Sequence, residues 1–327
     1  ISNDAFLLNQ LAIYGVYGML AVSISLCWGS GGILNMGQGI AFGLGAYCMA
    51  MTMQMQTQAD GTIPPFMLNN GLDSLPLLWQ PFQNTSTGIF LALFVPTVFY
   101  LIFGAIMTLA TLSAFATIFV DLQPYTNGVN GISPPSSLKL GQTEIDPYSS
   151  GAYWFVFALL AACTVAAKLI NQSRFGLIVR ALKDDPERVR FLGYNVAIYE
   201  TLVYTLSGLI AAIAGCCFAV LTQYVSPAQF EVGFSISIVI WVALGGRNSL
   251  IWAMFGAFTV QGAQSYVGDQ FLSTWILILG FSFILVVRFL PGGLAGLVET
   301  LLGRTTKLKM EAEHANLEFS DGKEVLK

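Results

Sequence analysis

Polarity along this chain comes in long blocks rather than short alternations. No Asp, Glu, Lys, Arg or His occurs between Asp4 and Asp60, or between Asp73 and Asp121. A charge at membrane depth is expensive, and about 20 helical residues at 1.5 Å rise each cross the hydrocarbon of a bilayer, so such blocks predict membrane-spanning helices. The first runs from Ala5 to Trp28 and closes at Gly29-Ser-Gly-Gly32, which no helix keeps cheaply. The second, Ile33 to Tyr47, is studded with glycine. Gly39 with Gly43, and Ala41 with Gly45, set small residues four apart, so this helix is expected to lie close against a neighbour's backbone.

Farther on, residues 62–82 are rich in proline, glycine and aromatics, the marks of a loop at a membrane interface; anchoring there and direct contact with a solute are both open. Gly88 to Val120 is uncharged for longer than one comfortable crossing and too short for two with a polar turn between them. Either a loop has been lost near Phe103-Gly104 or the span is long and tilted. Asp121 to Ser150 is polar, with paired turn signals in Thr126-Asn127-Gly128-Val-Asn130-Gly131, and its only basic residue is Lys139. Tyr153 to Ala167 and Thr201 to Val225 read as further spans, with Ser226 to Glu231 as an outer turn. Phe234 to Leu244 stops at Gly245-Gly246-Arg247, which predicts a broken helix of the kind tolerated where backbone lines a cavity. Spans near Ile251 to Val267 and Phe271 to Val287 complete an all-α polytopic bundle of about eight membrane segments over residues 1–303, and residues 304–327 form a charge-balanced tail.

Composition agrees: 55% of the residues are hydrophobic, 10% are charged, and mean hydropathy is +0.68, far from the soluble average of about 25% charged. A net charge of -4 leaves no basic footprint for nucleic acid. The five cysteines lie in apolar segments without metal-ligand spacing, and the single histidine, His314, is in the tail. No Gly-x-x-x-x-Gly-Lys-Ser/Thr loop is present, and Gly37-x-Gly39-x-x-x-Gly43 follows a membrane span rather than a strand, so neither common nucleotide-binding motif applies and no cofactor is expected. No carboxylate or histidine of a proton relay falls inside a predicted span, so the energy for any transport should come from another subunit. The chain opens on Ile1, which makes a truncated or processed start an expectation.

One stretch gathers the charge. Six of the fourteen basic residues lie between Lys168 and Arg190, which by the positive-inside rule places residues 171–194 on the cytoplasmic side of the cell membrane. Within it Pro186 suits the first turn of a helix, Asp184 and Asp185 sit where a helix N-terminus favours negative charge, and Gly193 is placed to end it. A short helix, about Pro186 to Leu192, should present Arg188 on one side and Val189 with Leu192 on another. Taken alone, the loop either sets topology or offers soluble machinery a grip.

Ala181-Leu-Lys-Asp-Asp-Pro-Glu-Arg-Val-Arg-Phe-Leu-Gly193 resembles the coupling-helix loop of the branched-chain amino acid and urea permeases of bacterial ABC importers. Trp28 to Tyr47 is similar to another signature of that family, although a Ser-Leu-Gly-His run is usual there and Asn35 and Gln38 depart from it. Val242 to Leu250 and Arg288 to Gly296 resemble two more. The resemblance implies a permease subunit of the second type, with Ala181, Asp184, Asp185, Pro186, Arg188, Arg190, Leu192 and Gly193 meeting an ATPase. The implied partners are a homologous permease, two ATPases and an extracytoplasmic binding protein, with the tail cytoplasmic. The Leu-Pro-x-x-Trp-x-Pro-Phe pattern ending at Phe82 is closer to the urea branch. A small neutral solute such as urea or a short amide needs hydrogen-bond partners rather than counter-ions, which nominates Asn35, Gln38, Gly39, Ser207, Gln261 and Gln264 as a pathway; helix-to-helix hydrogen bonding is the competing role for each. A branched-chain amino acid is the alternative cargo, and a passive urea or water channel the rival of another class.

Overall fold

A computed structural model describes residues 3–56, 58, 62–104, 109–134, 138–140 and 143–267, with shorter pieces between 277 and 298. The tail and most of the expected span near Phe271 to Val287 lie outside the described residues, as do residues 105–108. What is described is almost wholly helical. Helix α1 (Asn3–Ile24) continues into a π-helical turn, Ser25–Ser30, and α2 covers Gln38–Gln56. A short α3 (Pro65–Asn69) precedes α4 (Thr85–Phe103), α5 (Leu109–Asp121) and the single turn α6 (Gln123–Thr126). Helix α7 spans Ser150–Gln172, α8 Arg174–Asp184, α9 Pro186–Phe191, α10 Val196–Thr222, α11 Val232–Gly245 and α12 Leu250–Val267.

Among the described residues, four helical stretches are each long and apolar enough to cross a membrane: α1 with its π turn, α4, α7 and α10. Helices α11 and α12 pass the same test together but meet at 118°, the break foreseen at Gly245-Gly246. The bundle is built around α2 and α10. Their contact is backbone to backbone: a methyl group added at Gly45 would lie 2.5 Å from the Ala212 carbonyl oxygen, and one at Gly215 would collide with that of Phe42. The small residues read from the sequence are thus what lets these two helices touch. Helix α1 packs against α7, α10 and α12, and α4 against α2 and α10. Pro96 lies buried inside α4 and cannot donate to the Ala92 carbonyl one turn earlier; the Cys216 thiol lies 4.0 Å from that oxygen.

The uncharged Gly88 to Val120 segment is two helices, not one tilted span. The Phe99 and Phe115 rings are 5.0 Å apart, whereas sixteen residues of one straight helix would separate them by about 24 Å. The chain therefore turns back beyond Gly104. A second departure is a small antiparallel hairpin, β1 (Leu138–Leu140) with β2 (Thr143–Ile145), which the all-helical reading did not contain. The Gln56 amide grips it, donating to the Lys139 carbonyl and accepting from the Lys139 N–H. The turn signals at Asn127, Gly128 and Gly131 do adopt positive φ, at 63°, 55° and 67°.

Contacts fix which ends lie together. Asn9 donates to the carbonyls of Pro147 and Leu221, Trp79 Nε1 to that of Tyr125, and Ile132 bridges Val225. The start of α1, the ends of α2, α5 and α10, and the loops carrying residues 62–82 and 122–149 therefore share one end of the bundle. The charged hairpin α8–α9 occupies the opposite end. The segment after Val225 is more than an outer turn: its 3₁₀ turn Pro227–Phe230 sinks Phe230, fully buried, among Tyr47, Phe115 and Phe119.

Candidate functional site

The hairpin is locally self-sufficient. Ser173 caps α8 by accepting from the Gly176 N–H, and Asp185 caps α9 by accepting from the Arg188 N–H at 3.1 Å. The second Asp185 oxygen pairs with Arg188 Nε at 2.8 Å, and Pro186 supplies the first turn. Gly193, at φ 90°, ends the helix. Leu182, Val189 and Val196 form a small core of their own beneath it, flanked by Ile178 and Tyr199. Ala181, Asp184, Arg188 and Arg190 face outward.

One expectation is corrected here. Val189 and Leu192 do not share a face: Val189 is 5% exposed and Leu192 76%, beside Phe191 at 89%. Helix α9 stops at Phe191, so Leu192 has left the helical periodicity that would have turned it inward. The result is a capped, charged helix carrying two bare apolar side chains at its tip.

Beneath the hairpin, at the meeting of α1, α2 and α10, lies a polar cluster with no solvent exposure: Ser23, Asn35, Gln38 and Ser207. Gln38 organises it. Its Oε1 accepts from Asn35 Nδ2 at 2.6 Å, while its Nε2 lies 2.7 Å from Ser23 Oγ and 3.1 Å from both the hydroxyl and the carbonyl oxygens of Ser207. Ser207 Oγ donates to the Ser23 carbonyl, Asn35 Oδ1 accepts from the Gly37 N–H, and Tyr100 donates to the Gly37 carbonyl at 2.6 Å. The Gly39 N–H reaches Ser235 Oγ on α11 at 3.2 Å. A buried network whose members are all satisfied specifies one arrangement of the helices it joins.

Four of the six nominated pathway residues, Asn35, Gln38, Gly39 and Ser207, thus come together. Gln261 and Gln264 do not. Both lie on α12, Gln261 buried and Gln264 exposed, near Ser265, whose hydroxyl meets that of Tyr14. Tyr14 precedes Ser23 by nine residues of α1, about 13 Å along the axis. Ser23, Tyr100 and Ser235 were missed by sequence reasoning, because a hydroxyl in an apolar helix ordinarily bonds its own preceding turn and carries no signal of a distant partner.

The π turn at the end of α1 joins these parts. Lys183 of α8 donates to the Gly29 carbonyl at 2.7 Å, and Ser25 Oγ donates to the Arg247 carbonyl, in the break between α11 and α12, at 3.0 Å. The Arg247 guanidinium stands 5.3 Å from the Trp28 ring centroid.

Two cavities flank the bundle. One, of about 340 Å³, is lined by Met49, Ile89, Phe155, Ile213 and Val220 among others; the second, of about 580 Å³, by Leu44, Tyr47, Leu78, Phe82, Val95 and Phe119 among others. Both walls are apolar, and the polar cluster belongs to neither. Trp79, central to the urea-like pattern, stacks edge-on against Phe82 and is held by Tyr125, so its visible work is packing. Among the described residues no cluster of His, Cys, Asp or Glu could hold a metal ion, and the five cysteines are free, with Cys216 alone only partly buried.

Residues 6–287 match the family described as branched-chain amino acid transport system, permease component. The high-affinity branched-chain amino acid transport system permease protein LivH of Salmonella typhimurium is 24% identical over 313 residues, covering 88% of this chain and 94% of that protein. The corresponding LivM of Escherichia coli is 24% identical over 299 residues, 85% of this chain and 67% of the relative. A shorter match, 36% identical over 113 residues, is to the fructose import permease protein FrcC of Rhizobium meliloti and spans 33% of this chain and 31% of that one. No solved structure matches.

Proposed function

Because the chain belongs to the permease-component family of branched-chain amino acid transport systems, we propose that it is the membrane-spanning permease subunit of an ATP-driven importer, moved through its α8–α9 hairpin. The observation that carries this reading is the hairpin itself. A short helix capped by Asp185, seated on its own small core, holds Arg188, Arg190, Phe191 and Leu192 outward at the bundle end opposite the loops. Basic residues concentrate there, which supports a cytoplasmic location for the hairpin and, with it, the tail. The partners are a homologous permease, two ATPase subunits and an extracytoplasmic binding protein. ATPase closure would pull on α9 and rock the bundle between outward and inward access as a rigid-body change.

The cargo is a small solute without net charge. Relatives named for branched-chain amino acid transport cover most of the chain, which favours that class. Urea or a short amide remains the second reading, supported by the uncharged Asn35, Gln38 and Ser207 cluster, which offers amide and hydroxyl partners but no counter-ion. Reversing Arg188 and Arg190 to Glu is expected to abolish ATP-dependent uptake while membrane insertion stays intact; normal uptake by that variant removes the coupling role. Competition of labelled leucine uptake by urea, and the reverse, decides the cargo. Conduction by the isolated chain in liposomes without any ATPase would replace the whole reading with a passive channel.

A further inference from the structure

We infer that Lys183 is a positioning residue that couples the hairpin to the π-helical turn Ser25–Ser30, and that this turn hands the hairpin's movement on to the break between α11 and α12; the inference rests on the importer reading above. A lysine in a cytoplasmic loop ordinarily extends into water. Lys183 instead crosses back to the end of α1 and donates to the Gly29 carbonyl, one of the acceptors that a helix terminus leaves without an intrahelical partner. Its stem is packed as well: a methyl group at Gly32 would lie 2.8 Å from Lys183 Cγ. The hairpin therefore holds the turn by a charge-assisted bond and by a fitted aliphatic stem.

The far side of the same turn is held by the break. Ser25 Oγ bonds the Arg247 carbonyl at 3.0 Å, Gly29 has room for no side chain against that carbonyl, and Arg247 covers Trp28. Two residues before the turn, Ser23 belongs to the buried cluster around Gln38. The eight residues from Ser23 to Ser30 thus touch the hairpin, the broken helix and the polar cluster. A π turn contains one residue more than an α turn, so a change to α geometry would shift register by one position and rotate the flanking helix by about 100°. A turn that moved between these two registers would supply the discrete element that physical coupling between distant sites requires.

The test uses the assembled importer in proteoliposomes and measures solute imported per ATP hydrolysed. Lys183→Met, which keeps the stem and removes the donor, is expected to lower that ratio about tenfold, within the range that residues along a coupling route command, and Lys183→Arg to restore most of it. Ser25→Ala, a small change that leaves the hairpin untouched, is expected to lower the ratio in the same direction. A wild-type ratio for Lys183→Met, or for Ser25→Ala should Lys183→Met fail to assemble, overturns the inference. Absence of ATP-dependent uptake by the wild-type complex would instead overturn the importer reading.

Discussion

Gln38 shows how much a single side chain organises. Replacing it by Leu removes its bonds to Asn35, Ser23 and Ser207 in a site that water does not reach. Interhelical hydrogen bonds in membranes average about 0.6 kcal/mol each, so losing three contacts should destabilise the bundle by about 2 kcal/mol, read as an earlier midpoint on unfolding in mixed micelles. Tyr47 makes the contrast. It is 1% exposed, and its hydroxyl has no hydrogen-bond partner, so Tyr47→Phe removes a polar atom that gains nothing from burial. That variant should be as stable as the parent or more so; a loss comparable to Gln38→Leu would mean the two buried polar groups are not distinguished by their partners. The sequence nominated Gln38 and Asn35 because amides in an apolar run are conspicuous. It could not pair them with Ser23 and Ser207, since those partners lie 15 and 169 positions from Gln38 and only the fold brings them near.

At the scale of elements, the helices with end signals were the legible ones. Pro186, Asp185 and Gly193 announced α9 within a residue of its observed limits, and the glycine run before Asn248 announced the break at 118°. That α4 and α5 are two helices lying side by side was not legible, because the block that holds them is uncharged and apolar throughout. The β1–β2 hairpin escaped for a related reason: three-residue strands are too short for alternation to register. Glycine offers the sharper test of packing. Gly215→Ala should prevent α10 from seating on α2, lowering the yield of folded protein severalfold. Gly262→Ala on α12, where an added methyl group meets nothing within 4 Å, should raise stability by up to about 1 kcal/mol through helix propensity alone. Equal behaviour of the two would show that the close approach of α2 and α10 is not what their glycines secure.

Over the whole molecule, two ends carry different chemistry. Loops that include the β hairpin gather at one and the basic hairpin at the other, and the proposed reading puts the second in the cytoplasm. Cysteine scanning tests this directly. A cysteine at Val129, which is 72% exposed, should react with a membrane-impermeant maleimide in intact cells, whereas one at Arg190 should react only after permeabilisation. The opposite pattern would invert the topology and with it the proposed site of ATPase contact. The native thiols are largely enclosed, so background labelling should be low. Pro96 adds a property of a different kind. Helix α4 lacks one rung of its ladder at Ala92, with only a distant thiol in its place, so the span is scored across its middle like card. A sideways load from surrounding lipid acyl chains should crease the span there first, before it strains the seam of α2 and α10 against which α4 packs.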